Sequence, residues 1–302
     1  MNILVLDIGG TLIKTGICDE NGHLTQMKEY PTELQNGEKN IIDKLNNIIT
    51  GFHDYEAIGV SIAGCVDSEE GYIYSSGNIP DLNGLRLKDV LEKKFCVPVK
   101  IENDVNAAAL GEKYYGAGKG FNDFLCLTIG TGIGGAIVID STIFKGHKGI
   151  AAEFGHMITH PRGARCSCGG SGCYETYASA TALVKNARKI NQKYFNGRII
   201  FAEDNQQDKE LERVIHDWVY EVALGLTSLI HIFNPPAIIL GGGIMEQEKL
   251  VHMISAKVKE LALESFSDVK ILKASLGNKA GMYGAAQLIL NGEYYKSGRN
   301  IT

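Results

Sequence analysis

A strand–turn–strand design occurs twice in this chain, about half its length apart. Residues 3–18 carry Ile3-Leu4-Val5-Leu6-Asp7, then Gly9-Gly10-Thr11, then an apolar run from Leu12 to Cys18. Residues 125–140 carry Leu125-Cys126-Leu127-Thr128-Ile129, then Gly130-Thr131-Gly132, then Ile133 to Asp140. Each is an apolar strand that runs into a Gly-Thr turn and returns as a second strand. An echo at this separation predicts two domains of similar design and argues against a solenoid of short repeats. The length of 302 residues agrees with two domains.

Between and beyond the echoes the elements alternate. Helical spacing covers residues 40–52, and Ala57–Ile62 reads as a buried strand that ends in Ala63-Gly64. Leu87–Phe95 reads as helix and Val97–Ile101 as a short strand, with Pro98 placing it near an edge or at its start. Asp104–Tyr115 is helical, opened by Glu102-Asn103-Asp104. A helix is expected over Tyr174–Tyr194, and a long one over Glu212–Phe233 with Val214, Trp218, Val222, Leu226 and Leu229 on one stripe. Then come a strand at Ala237–Leu240, a helix at Leu250–Leu263, a strand at Val269–Leu272, a helix at Met282–Leu290 and a polar tail. Apolar strands alternating with helices predict α/β layers.

Composition excludes several classes of function. A net charge of −5 without a basic tract argues against a nucleic-acid surface. No run approaches the ~18 apolar residues of a membrane span. The start lacks a basic region, and Asp7 cuts the first apolar run short of a signal peptide. The expectation is a cytoplasmic protein, with no nucleic-acid or membrane partner. Cys18, Cys65, Cys96 and Cys126 are dispersed in apolar contexts and read as small buried hydrophobes.

The remaining cysteines form a cluster. Glu153-Phe-Gly-His156 is followed by Cys166-Ser-Cys168-Gly-Gly-Ser-Gly-Cys173-Tyr-Glu175. Three thiolates and one imidazole, from Cys166, Cys168, Cys173 and His156, make the ligand set of a closed tetrahedral zinc site. The loop is too polar and too Gly-rich to order itself by packing, and metal binding can replace that packing. Three cysteines in a flexible loop with an unconnected His nearby are one alternative; a disulfide is a second, but it leaves an odd thiol and needs an oxidising compartment. On the zinc reading the metal is structural, and it fixes the carboxylates of Glu153 and Glu175 at either end of the loop. Rigid carboxylates of this kind suit a hydroxyl-rich ligand.

Three Gly-rich turns follow strands: Gly9-Gly10-Thr11, Gly130-Thr131-Gly132 and Gly241-Gly242-Gly243. Glycine lets several backbone N–H groups converge on phosphate oxygens. No GxxxxGK[ST] is present and neither hairpin runs into a helix, so these are not Walker or dinucleotide loops. Lys14 suits a phosphate contact or an ordinary surface position. Asp7, at the end of the first strand, suits Mg2+ held through water, or a turn bond to its own backbone. Asp104 has two readings as well. It is either the N-cap of its helix or a base that takes the proton of a substrate hydroxyl as a phosphoryl group arrives. As a base it is expected to be held ionised by the helix dipole.

With these motifs in order along nearly its whole length, the chain resembles the sugar kinases of the ROK family (repressors, open reading frames and kinases). The residues that carry the resemblance are Asp7-Ile-Gly-Gly-Thr-Leu-Ile-Lys14, Glu102-Asn-Asp104, Gly130-Thr-Gly-Ile-Gly-Gly135, Glu153-Phe-Gly-His156, Cys166 to Cys173 and Glu175. The resemblance implies an α/β, two-lobed, actin-like ATPase (ribonuclease H-like) fold with a cleft between the lobes. The expected lobes are residues 1–116, completed by a C-terminal helix at about 282–302, and residues 117–281 with the zinc loop. It further implies transfer of the ATP γ-phosphate, with Mg2+, to a sugar hydroxyl, usually O6. Asp104 would be the catalytic base, and Asn103, Glu153, His156, Glu175 and the backbone of Gly64 would contact the sugar. His156 would bind zinc through one nitrogen and face the sugar with the other. Gly9, Gly10, Thr11, Gly130, Thr131 and Gly132 would surround the phosphates, and Gly242 would lie under the adenosine.

Within the family, glucose and N-acetylmannosamine lead, with N-acetylglucosamine, β-glucosides and fructose open. Ala63-Gly64-Cys65-Val66-Asp67 and Asn78-Ile79-Pro80-Asp81 look closer to N-acetylmannosamine kinases. A homodimer is expected, because dimers are common among relatives. A sugar-responsive repressor and a sugar-binding protein without turnover are the alternatives. Repressors of this family carry a helix-turn-helix ahead of the first strand, which here begins at residue 3, and the charge does not suit DNA.

Overall fold

The computed structural model describes residues 1–34, 40–205 and 207–297. They form two compact units. The first comprises Met1–Lys119, Thr142–Ala151 and Asn278–Thr302, and the second Gly120–Ser141 and Ala152–Gly277. Residues 298–302 of the expected C-terminal segment lie outside the described residues.

In the first unit the strands are β1 (Asn2–Ile8), β2 (Leu12–Asp19), β3 (Leu24–Pro31), β4 (Ala57–Ile62), β5 (Cys65–Asp67), β6 (Tyr72–Ser75) and β7 (Val99–Asn103). The helices are α1 (Ile41–Thr50), α2 (Leu87–Phe95) and α3 (Asp104–Tyr115). The main sheet has the order β3-β2-β1-β4-β7, and β5 and β6 form a separate hairpin. β1 pairs antiparallel with β2 and parallel with β4, which pairs parallel with β7. Pro98 therefore lies just ahead of an edge strand, where its missing N–H costs no ladder bond.

Period-2 alternation assigns the two faces of this sheet. Leu4, Leu6 and Ile8 pack with Ile41, Leu45, Leu87 and Leu91 of α1 and α2. Ile3 and Val5 point the other way, onto Met282, Ala285, Ala286 and Ile289 of α9 (Ala280–Ser297). α9 returns from the far end of the chain to complete this unit, which also holds the short strand β10 (Thr142–Ile143).

The second unit repeats the plan. β8 (Phe124–Ile129) and β9 (Ile133–Ile139) are an antiparallel hairpin, as β1 and β2 are. β8 pairs parallel with β11 (Ala237–Gly241), which pairs parallel with β12 (Lys270–Lys273). Its helices are α4 (Glu175–Ala178), α5 (Ala180–Ile190), α6 (Gly197–Ile200), α7 (Lys209–Phe233) and α8 (Glu248–Leu261). Trp218, Val222, Leu226 and Leu229 are buried in one core with Leu125, Leu127, Ile238 and Leu240.

Several boundaries differ from expectation, among them β7, which is shifted by two residues from 97–101, and α9, which runs to Ser297 where a polar tail is expected; two others have a side-chain cause. The single helix expected over 174–194 is broken at Ser179, whose Oγ accepts from Ala182 N (3.1 Å) and caps α5. α7 begins before Glu212 because Asp208 caps it, accepting from Glu210 N and Leu211 N. Cys96 is also not a buried hydrophobe: it is exposed, with φ 55° at the left-handed end of α2. No helix among the described residues is long and apolar enough to cross a membrane.

Candidate functional site

The first unit gathers its polar groups at the ends of β1, β4 and β7. Asp7 faces Lys14 across the β1–β2 pair and Ser61 across the β1–β4 pair. Ser61 Oγ donates to Asp7 Oδ1 at 2.7 Å, and Lys14 Nζ lies 3.4 Å from Oδ2. Lys14 also donates to Asn278 O at 3.2 Å, so it is held within the unit instead of trailing in solvent. The Gly9-Gly10-Thr11 turn is closed by Gly9 N donating to Leu12 O (3.0 Å) and Thr32 Oγ1 donating to Gly9 O (2.7 Å). Gly10 and Thr11 are exposed at its tip.

Asp104 is the first residue of α3 and not its cap. Asn103 is the cap, with Oδ1 accepting from Val105 N (2.9 Å) and Asn106 N (3.1 Å). Its Nδ2 donates to Gly64 O (2.9 Å) and to Asp104 Oδ1 (3.0 Å), so the Asn103 side chain makes four internal hydrogen bonds. Gly64 has φ 148°, and a Cβ there would run into the backbone of Ser75, so only glycine lets its carbonyl meet Asn103.

The Asp104 carboxyl is raised from 3.8 to about 7, first by burial and then by the charge of Asp7, against lowering bonds from Val105 N, its own N–H and Asn103. The expectation of an acid held ionised by the helix dipole is thus corrected: losing water outweighs the oriented N–H groups. A carboxylate tuned to neutrality is a better proton acceptor at cellular pH than an ordinary one.

The second unit holds the cysteine loop. The ligand atoms of His156, Cys166, Cys168 and Cys173 all lie within 4.8 Å of one another. Cys168 and Cys173 sulfurs are 3.6 Å apart, and Cys166 Sγ is 3.8 Å from His156 Nδ1. Zinc ligands at tetrahedral angles and about 2.3 Å from the metal stand about 3.7 Å from each other, so these residues fit the ion. All three cysteines are free, and the 3.6 Å gap is far beyond a disulfide bond. His156 turns Nδ1 to the thiols and Nε2 to Glu153, whose Oε2 lies 3.9 Å away.

Glu175 joins this loop to the second Gly-Thr turn. Its Oε1 accepts from the Cys166 thiol at 3.1 Å, and its Oε2 accepts from Ile133 N at 3.4 Å. A side chain at Gly132 would collide with Oε2, so glycine lets the turn lie against the carboxylate without displacing it. Gly130 N donates to Gly132 O (2.9 Å), and Thr131 is exposed at the tip. Gly242, at the end of β11, lies against the backbone of Ile129, beside the same turn. Each unit therefore brings its own set together: Asp7, Gly9, Gly10, Thr11, Lys14, Gly64, Asn103 and Asp104 in the first, and Gly130, Thr131, Gly132, Glu153, His156, Glu175, Gly242 and the cysteines in the second.

Sequence reading gave no part to Ser61, to buried Glu102 as a support, or to Lys145. Ser61 is identified only by sheet register and Lys145 only by contact, and neither leaves a local pattern.

A model of the ROK family matches residues 3–291, and the chain belongs to that family, which contains sugar kinases and repressors. The chain is 34% identical over 309 residues to a glucokinase of Thermotoga maritima, covering 96% of this chain and 97% of that protein. It is 30% identical over 295 residues to a xylose repressor of Bacillus spizizenii, covering 95% of this chain and 73% of that one. Among solved structures, a ROK family glucokinase from Streptomyces griseus, in complex with glucose and AMPPNP, superposes with a TM-score of 0.83 at 34% identity, covering 95% of this chain and 99% of that one. The fold is that of the actin-like two-domain ATPases, as the resemblance implies.

Proposed function

We propose that this chain is an ATP-dependent sugar kinase that phosphorylates O6 of a hexose or N-acylhexosamine, glucose or N-acetylmannosamine first among them. The observation that carries this reading is Asp104, a part-buried carboxyl brought to about 7 at the start of α3, directly after β7, as a proton acceptor for an alcohol requires. Likeness to glucokinases supports it.

Asp104 takes the hydroxyl proton while the sugar oxygen forms its bond to phosphorus and ADP leaves. ATP supplies the phosphoryl group and Mg2+ neutralises its charge. Asp7 and Lys14, with the Gly9-Gly10-Thr11 and Gly130-Thr131-Gly132 turns, are the groups assigned to them, and Gly242 is assigned to the adenosine. Glu153, His156 Nε2 and Glu175 of the second unit are assigned to sugar hydroxyls, and the Gly64 backbone of the first unit is assigned to the sugar as well. Asn103 orients Asp104 through its 3.0 Å bond; its side chain already makes four internal hydrogen bonds, so it would reach the sugar only by giving one of them up. Zn2+ on His156, Cys166, Cys168 and Cys173 supplies no chemistry to the transfer; it keeps the loop and its carboxylates in place.

The test is ADP release with glucose, N-acetylmannosamine, N-acetylglucosamine, a β-glucoside and fructose. Turnover with one of them is expected, and silence with all of them ends the kinase reading. The likeness to a xylose repressor motivates the second reading, a sugar-responsive DNA-binding protein. Sugar-dependent retention on DNA without ADP release would favour it.

A further inference from the structure

Glu102 is among the most deeply buried carboxylates of the first unit, at 1% exposure, and sits one residue before the Asn103–Asp104 pair. Its Oε1 accepts from Asn103 N (3.0 Å) and from Asn106 Nδ2 (3.1 Å), so it clamps the last residue of β7 to the first turn of α3. Asp104 is held inside that clamp. The other oxygen, Oε2, is sealed from solvent and has no hydrogen-bond partner. Lys145 Nζ stands 3.7 Å from it, too far for a hydrogen bond but close enough to compensate its charge. Lys145 is itself fixed by donating to Ser68 Oγ at 2.6 Å, and its carbonyl accepts from Ala151 N at 3.1 Å.

A buried carboxylate that loses its nearby cation is strongly penalised. Glu102 relieves that penalty by moving toward solvent, which loosens its bonds to the two N–H groups that fasten the strand to the helix. We propose that Lys145 is a positioning residue for Asp104: its cation compensates the buried Glu102 carboxylate, and Glu102 so compensated locks the joint between β7 and α3. Lys145 does not touch the reacting atoms in this account, which rests on the kinase reading with Asp104 as the base.

The test compares Lys145→Met, Lys145→Arg and the double variant Glu102→Gln with Lys145→Met, reading kinetics and amide hydrogen exchange over residues 102–107. Misplacing a base by about an ångström costs up to roughly 100-fold. Lys145→Met is therefore expected to lose about 10- to 100-fold in kcat, with KM for sugar and ATP changed less than about 3-fold, and to exchange faster at 102–107. Lys145→Arg restores most of the rate. The double variant is expected to be faster than Lys145→Met alone, because a neutral amide at 102 needs no cation, and a merely structural role would not produce that suppression. Wild-type kcat and exchange in Lys145→Met would overturn the proposal, and so would a double variant no better than the single one. Should Lys145→Met fail to fold, the double variant and Lys145→Arg carry the comparison. If the wild-type chain turns over no sugar, the kinase reading fails separately, and the exchange data still decide whether Lys145 secures the joint.

Discussion

Asp104 carries opposite demands of stability and function. Its folded carboxyl sits near 7 against 3.8 for the free group, so folding favours its neutral form. A raised acid costs nothing below the unfolded value, and the cost grows as pH climbs from about 4 to about 7 and is complete above that. Asp104→Asn removes the charge and keeps the shape. It is expected to melt higher than wild type at pH 8, with the gain shrinking toward pH 4, while kcat falls by roughly 100- to 10,000-fold. Equal melting temperatures at pH 8 would mean that Asp104 is not buried as described. In the wild type, kcat/KM is expected to fall as pH drops below about 7 and to level off above it, because only the ionised carboxylate accepts a proton. The helix-start position of Asp104 was legible in Glu102-Asn103-Asp104. The choice between cap and base was not, since Asn103 and Asp104 are both good capping residues and only backbone geometry assigns the cap to Asn103. Nor was the influence of Asp7, which comes from a strand distant in sequence.

Among the elements, the cysteine loop was the most legible, because metal-ligand spacing is a local property. What the spacing left open was which imidazole nitrogen faces the thiols and where Glu175 ends up. Nδ1 faces Cys166, and the Glu175 carboxylate lies between Cys166 and the β8–β9 turn. The loop's shape and the turn's shape are thereby linked. Zinc analysis of the purified protein is expected to give about one ion per chain, and stripping it with a strong chelator should lower the melting temperature by several degrees. An unchanged melting curve after complete removal would reject the zinc assignment. Cys173→Ser is expected to act in the same direction, since Cys173 is a buried member of the set. The helix boundaries missed at Ser179 and Asp208 have a common cause: capping competes with helical periodicity, and side-chain acceptors decide where the backbone breaks.

For the molecule as a whole, the first unit is assembled from segments far apart in the chain, and α9 closes it. Met282, Ala285, Ala286 and Ile289 cover Ile3, Val5, Cys18 and Ala57. A chain ending at residue 277 would expose that face, and each large apolar side chain left uncovered forfeits about 1.5–3 kcal/mol. Such a truncation is expected to aggregate or to lose the cooperative melt of the first unit, and a soluble, fully active product would contradict this packing. By itself the amino-acid sequence determined the α/β class, the doubled strand–turn–strand plan, the clustering of His156 with three cysteines and the family, because period, turn chemistry and residue spacing are written in neighbouring residues. Only the tertiary structure decided that Asn103 caps α3, that Asp104 is pushed toward neutrality and that Lys145 meets Glu102. Those outcomes depend on burial and on charges brought together from distant parts of the chain, and no local pattern encodes such distances.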